Sequence, residues 1–123
     1  MVSCYCGSKS TFENCCQPYI NKTLKAPTAE ALMRSRYSAF ATASADYLIA
    51  TTHRSKRKFH NKADILAWSK SNQWIKLEIL ATTKNTVTFK AYYLDAQLQA
   101  QIHHEHSIFV YENESWYYVE GSY

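Results

Sequence analysis

At Trp74 the hydrophobic repeat of this chain changes from one of about 3.6 residues to one of two, which imposes a block of helices followed by a block of strands. Before the switch, Ala29, Leu32, Met33, Arg36, Tyr37 and Phe40 recur at helical spacing behind a Pro27-Thr28 start, with Thr28 the expected N-cap and Glu30 in the first turn. A second, short helix is expected from a cap at Ser44 through Asp46-Tyr47-Leu48-Ile49 to about residue 52. Asn61-x-x-Asp64 opens a third that carries Ile65, Leu66 and Trp68 inward. After the switch, Ile75, Leu77 and Ile79 alternate with Lys76, Glu78 and Leu80, and the pattern resumes at Val87, Phe89, Ala91 and Tyr93. Two further strands are expected at 104–112 and 115–120 around the turn-like Asn113-Glu114. The layout is α+β, with helices packed on one face of a curved antiparallel sheet.

A chain of 123 residues forms one folding unit, and 46% hydrophobic with 20% charged residues is the balance of a chain that can bury a core. Its two glycines, Gly7 and Gly121, exclude whole enzyme classes. Phosphate-cradling loops need glycine-rich turns, and a serine nucleophile elbow needs Ser between two glycines. No run approaches 18 apolar residues, and the first seven residues carry neither a basic leader nor an apolar signal core, so a cytoplasmic location is expected.

All four cysteines lie in the first 16 residues as Cys4-x-Cys6 and adjacent Cys15-Cys16. Such a cluster cannot staple a whole domain with disulfides, but it offers the ligand set of a closed tetrahedral site for one structural Zn2+ per chain. Gly7 permits the tight turn after the first pair, and Lys9, Lys22 and Lys25 offset the negative charge. Two disulfides, four metal-free thiols and a redox role for Cys15 and Cys16 are the alternatives.

Charge is uneven. Between His53 and Lys62 five cations, Arg54, Lys56, Arg57, Lys58 and Lys62, occur without one acid. The run reads as a solvated loop or as an attractor for an anionic partner such as nucleic acid. Arg34 and Arg36 interrupt the apolar pattern of the first helix and need acidic or carbonyl partners, for which Glu78 and Glu105 are the candidates. On a strand, His104 and His106 share one face while His103 and Glu105 share the other, and the pair on the first face has no obvious third metal ligand.

Several segments together resemble the YchJ-like family of bacterial SEC-C-motif proteins. They are Cys4-Tyr5-Cys6-Gly7-Ser8 with Cys15-Cys16-Gln17-Pro18-Tyr19, Leu32 to Phe40, Asp46-Tyr47-Leu48-Ile49 with Thr52-His53, and Glu105-x-Ser107-x-Phe109 leading to Trp116-Tyr117-Tyr118-Val119-Glu120-Gly121. The resemblance implies a nuclear transport factor 2-like cone over residues 27–123, with an N-terminal SEC-C-type zinc knuckle over 1–26. By analogy with the zinc tail of the preprotein translocase motor, it also implies protein docking through the knuckle. Longer relatives carry a second knuckle, and the proline usual after Thr-x-His is Arg54 here.

The leading expectation is therefore a zinc-binding docking or adaptor module, either a monomer or a homodimer, rather than an enzyme. A small-molecule or enzymatic pocket is the alternative, with Arg34, Arg36, Tyr37, His53, Glu78, Glu105 and Trp116 as its candidate residues and Arg36, His53 and Glu105 as its polar centre. Binding of nucleic acid or another anionic polymer by the 54–62 run is third.

Overall fold

The computed structural model describes residues 3–122. Helix α1 (Gln17–Ile20) follows a short 3-10 turn, and three longer helices come next: α2 (Ala29–Ala41), α3 (Ala45–Ala50) and α4 (Lys62–Ser71). The strands are β1 (Gln73–Thr82), β2 (Thr86–Leu94), β3 (Ala100–Glu112) and β4 (Ser115–Ser122), paired in sequence order as an antiparallel meander. No helix among the described residues is long and apolar enough to cross a membrane.

Two of the three expected caps form. The Thr28 hydroxyl accepts from the Ala31 N–H at 3.0 Å, and the Asn61 side chain accepts from the Asp64 N–H at 3.1 Å, each satisfying an otherwise orphaned donor of its first turn. Ser44 occupies the N-cap position of α3 but caps nothing, because its hydroxyl pairs with Thr42 at 2.8 Å. Helix α2 lies across β1, β2 and β4 and is covered on its other sides by α1, α3 and α4. It therefore buries Ser35, Arg36 and Ser38 as well as Leu32, Met33 and Tyr37.

The concave face of the sheet carries Leu77, Val87, Phe89, Ala91 and Phe109 into the same core. The alternation holds along β2 but breaks in β1. A register shift between Trp74 and Lys76 turns Trp74 inward beside Leu77 and leaves Ile75 outside, 57% exposed, where strict alternation would have buried it. Strand β3 starts four residues before the expected 104, since Ala100, Gln101 and Ile102 extend beyond the helices, are exposed, and give no period to read. Asn113 and Glu114 both take positive φ, 52° and 64°, as a two-residue hairpin between twisted strands demands.

Buried polar groups on the concave side are joined in a chain. The Arg36 guanidinium donates to the Leu48 carbonyl at 2.9 Å and to the Thr51 hydroxyl at 2.7 Å, placing a cation at the C-terminal end of α3. It also sits 4.5 Å from the centre of the Tyr118 ring, whose hydroxyl donates to the Glu105 carboxylate at 2.9 Å. Glu105 receives two more hydrogen bonds, from the Ser107 hydroxyl and, at 2.7 Å, from His103. Although burial opposes ionisation, these bonds hold its carboxyl below the usual carboxylate range. Thus neither arginine forms the expected direct pair with Glu78 or Glu105. Arg36 reaches Glu105 only through Tyr118, and Glu78 accepts from Tyr92 on the outer face of the sheet.

Gly121 makes room for this network. A Cβ there would fall inside the Glu105 carboxylate, so any side chain must push Glu105 out of its three hydrogen bonds. Gly121→Ala is expected to lower stability by about 2 kcal/mol, read as a reduced urea midpoint, and an unchanged midpoint would show that the carboxylate is not held as described.

Candidate metal centre and cavity

The N-terminal loop folds back on itself before the first helix. The Cys4 N–H donates to the Ser10 carbonyl at 2.8 Å, the Gly7 N–H donates to the Cys4 carbonyl at 3.1 Å, and Ser3 bridges Thr11. Gly7 closes the turn with φ +87°, a region that an L side chain rarely adopts. The 3-10 turn Phe12–Asn14 then delivers Cys15 and Cys16 to the same point, so that the four sulfurs lie within 4.8 Å of one another. All four are free thiols, and Cys4, Cys6 and Cys16 are buried. No disulfide joins any two of them.

The sulfur spacing matches a metal site. In a tetrahedral thiolate site with metal–sulfur bonds of about 2.3 Å the sulfurs are about 3.8 Å apart. Here Cys6 and Cys15 are 3.6 Å apart, and Cys15 and Cys16 are 3.9 Å apart. The surroundings favour negative charge on Cys6 and oppose it on Cys15, where burial pushes the thiol up. The Cys6 thiol is pulled down to about 4, foremost by a hydrogen bond from Cys16, whose own thiol is pushed up by donating it. Ser8 donates to the Cys15 sulfur at 3.1 Å, and the Ser38 hydroxyl of α2 lies 3.5 Å from Cys4. The cation at the cluster is Arg34 rather than a lysine. It donates to the Cys6 carbonyl at 2.8 Å while paired with Glu30 at 2.9 Å. Arg34 thus stands at the cysteines and not in a pocket.

A cavity of about 270 Å³ opens between α2, α4 and the concave face of the sheet. Of the expected pocket residues it contains Arg36, Tyr37 and Glu105. The other four stand elsewhere. His53 lies past the end of α3, where its ring contacts Glu112 at 2.9 Å and Ser55 at 2.8 Å. Glu78 is on the outer face, Arg34 is at the cysteines, and Trp116 lines a separate groove beside α1. The cavity adds His60, Trp68, Trp74, His103 and Tyr118, which the sequence reading did not assign to it. His103 was discoverable, since it shares a strand face with Glu105. His60 was hidden inside the basic run, where nothing marks one histidine as inward.

That run is partly spent on the fold. Arg57 donates to the carbonyls of Thr52 at 2.8 Å and Ala50 at 3.1 Å, Lys62 pairs with Asp46 at 2.9 Å, and Arg54 approaches Glu112 at 3.8 Å. Lys56 and Lys58 flank the exposed Phe59 ring at 6.0 and 5.2 Å. Among the described residues the cysteines form the one cluster of potential metal ligands, and His104 with His106 adds no second.

Residues 28–121 match the family described as YchJ, middle NTF2-like domain. A UPF0225 protein of Photorhabdus laumondii is 39% identical over 96% of this chain and 79% of its own length. The UPF0225 protein YchJ of Shigella dysenteriae is 36% identical over 97% of the chain and 82% of its own. Among solved structures, a SEC-C motif containing protein from Rhodopseudomonas palustris superimposes with a TM-score of 0.90 at 34% identity, covering 98% of each chain. One from Psychrobacter arcticus gives 0.78 at 29% identity, over 95% of this chain and 80% of the other. With its nuclear transport factor 2-like cone and its four clustered cysteines, this chain belongs to the YchJ-like UPF0225 family of SEC-C-motif proteins.

Proposed function

We propose that this protein is a zinc-stapled docking module of the bacterial cytoplasm. Cys4, Cys6, Cys15 and Cys16 hold one structural Zn2+. Four thiolates complete a tetrahedral shell and leave no position for a reacting water, so the ion serves folding rather than catalysis. A reducing compartment keeps the four thiols available for it.

The observation that carries the docking role is a groove beside α1, the helix that follows directly on Cys16. It has a volume of about 250 Å³ and is walled by Tyr19, Leu24, Trp116 and Tyr117. Tyr19 belongs to α1, whose first turn is anchored on the Cys16 carbonyl, so fixing Cys16 on a metal fixes one wall of the groove. The opposite wall is held by the indole N–H of Trp116, which donates to the Pro27 carbonyl at 3.3 Å. Lys22 and Lys25 also line the groove, and among the described residues neither has an acidic partner. Aromatic walls with unpaired cations complement a peptide segment that carries acidic side chains around an apolar anchor.

Native mass spectrometry of protein purified without an affinity-tag metal is expected to give the mass of one zinc per chain, and to lose it in Cys15→Ser. A metal-free wild-type chain would contradict the metal assignment. Selection from a random peptide library on the zinc-loaded protein is expected to enrich acidic sequences with an aromatic or leucine anchor. Their binding should fall about tenfold or more in Trp116→Ala and in the Lys22→Glu, Lys25→Glu double variant. Enrichment of basic peptides, or binding indifferent to these changes, would sink the docking role.

A further inference from the structure

The cavity under α2 is not used by the docking role, and its chemistry is specific. We propose that it binds a small monocarboxylic acid whose body is an aromatic ring or a short alkyl chain. This proposal stands on the cavity alone and does not depend on the knuckle or the groove.

The walls set the body of the ligand. Phe40, Trp68, Trp74 and Phe89 surround the space, and the rings of Phe40, Trp68 and Trp74 are locked against each other at 4.9–5.7 Å between centres. A volume of about 270 Å³ lies just below the range of drug-sized sites, which begins at about 300 Å³, so it suits a molecule of about a dozen non-hydrogen atoms.

The polar groups set the head. The carboxylate in the cavity, Glu105, already receives hydrogen bonds from His103, Ser107 and Tyr118, and Gly121 leaves it the room to do so. What is left over is donor capacity. The Tyr37 side chain is 3% exposed and lines the cavity, yet its hydroxyl has no hydrogen-bond partner among the described residues. Such a group costs stability unless a partner arrives. Arg36 lines the same space as a buried cation. Its Nη1 donates to the Leu48 carbonyl and to the Thr51 and Thr52 hydroxyls, all neutral, and among the described residues no carboxylate lies within 4.0 Å of it. A buried cation with only neutral acceptors and a buried hydroxyl with none are together complementary to one carboxylate. Glu105 is an anion in the same cavity, but its charge is already met by three donors, so an amine gains little there and meets the guanidinium as a like charge, while an alcohol would leave the guanidinium without a counter-charge. His60, on the cavity wall, is pushed towards its neutral form by burial and by Arg36, so it does not add a second cation.

Because Trp68 and Trp74 line the cavity and Trp116 does not, the fluorescence of a Trp116→Phe background reports occupancy. The test titrates the zinc-loaded protein with phenylacetate and hexanoate, and with phenethyl alcohol and phenethylamine as controls. At least one acid is expected to change the emission saturably, and the alcohol and amine should bind about tenfold or more weakly. Tyr37→Phe is expected to weaken the acid about tenfold without lowering the urea midpoint, since it removes a hydroxyl that has no partner in the free protein. Ala91→Leu, which fills the cavity from β2, should abolish binding while the circular dichroism of the fold is retained. The proposal is overturned if the folded protein takes neither acid at about 10 mM. It is overturned equally if the amine or alcohol binds as tightly as the acid, or if Tyr37→Phe keeps full affinity.

Discussion

The sulfur cluster lies inside the hydrophobic core, and the rest of the structure is arranged around that constraint. Cys4, Cys6 and Cys16 belong to the same buried cluster as Leu32, Met33, Tyr37, Leu77 and Phe109. The loop that carries them is bound to α2 through Arg34 on the Cys6 carbonyl and through Ser38 beside Cys4. A backbone turn this polar can be buried only if its groups find partners, and here they find them in the loop itself, in α2 and in the other thiols. A metal at the thiols would therefore act on the domain as a whole. Its binding energy would become folding energy for a chain whose size leaves a modest core.

A second constraint operates on another side of α2. Arg36 joins that helix to the C-terminal end of α3, and Tyr118 and Glu105 carry the connection into β4 and β3. The strand and the helix exit are also stitched by backbone bonds, with the His53 N–H donating to the Tyr118 carbonyl and the Tyr118 N–H donating to the Thr51 carbonyl, each at 2.7 Å. Because Arg36 and Glu105 are held apart with an aromatic ring between them, the charges do not annihilate in a direct pair. The cavity consequently keeps, beside its apolar body, a cation at Arg36 with no carboxylate in direct contact, which a fully paired core would lack.

Much of this was legible in the sequence. The caps at Thr28 and Asn61, the alternation along β2 and the Asn113-Glu114 turn are local signals, and each element formed where its residues place it. The four thiols were legible for the same reason, since all of them lie between residues 4 and 16 and can meet within one loop. What failed depends on long-range geometry. The bulge at Trp74 exchanges the faces of Trp74 and Ile75, and nothing in the local pattern announces it. The extended start of β3 lies beyond the helices, where no buried face imposes a period. Cavity membership required knowing that α4 packs beside α2 and sets Trp68 against Trp74 of β1 and Tyr93 of β2. His53 and His60 look equivalent in sequence, yet the first ends outside with Glu112 and the second lines the cavity.

The central claim is that the cysteine loop and the cone form one cooperative unit. It is tested most directly by unfolding the zinc-loaded protein in urea, in a Trp116→Phe background, while following two local probes: the reactivity of the four thiols, and the fluorescence of Trp68 and Trp74. The account predicts coincident transitions, and after chelation a lower midpoint for both probes together. Thiols that become reactive while the tryptophan transition stays where it was would contradict it, because the loop would then be an appendage on an independently stable cone.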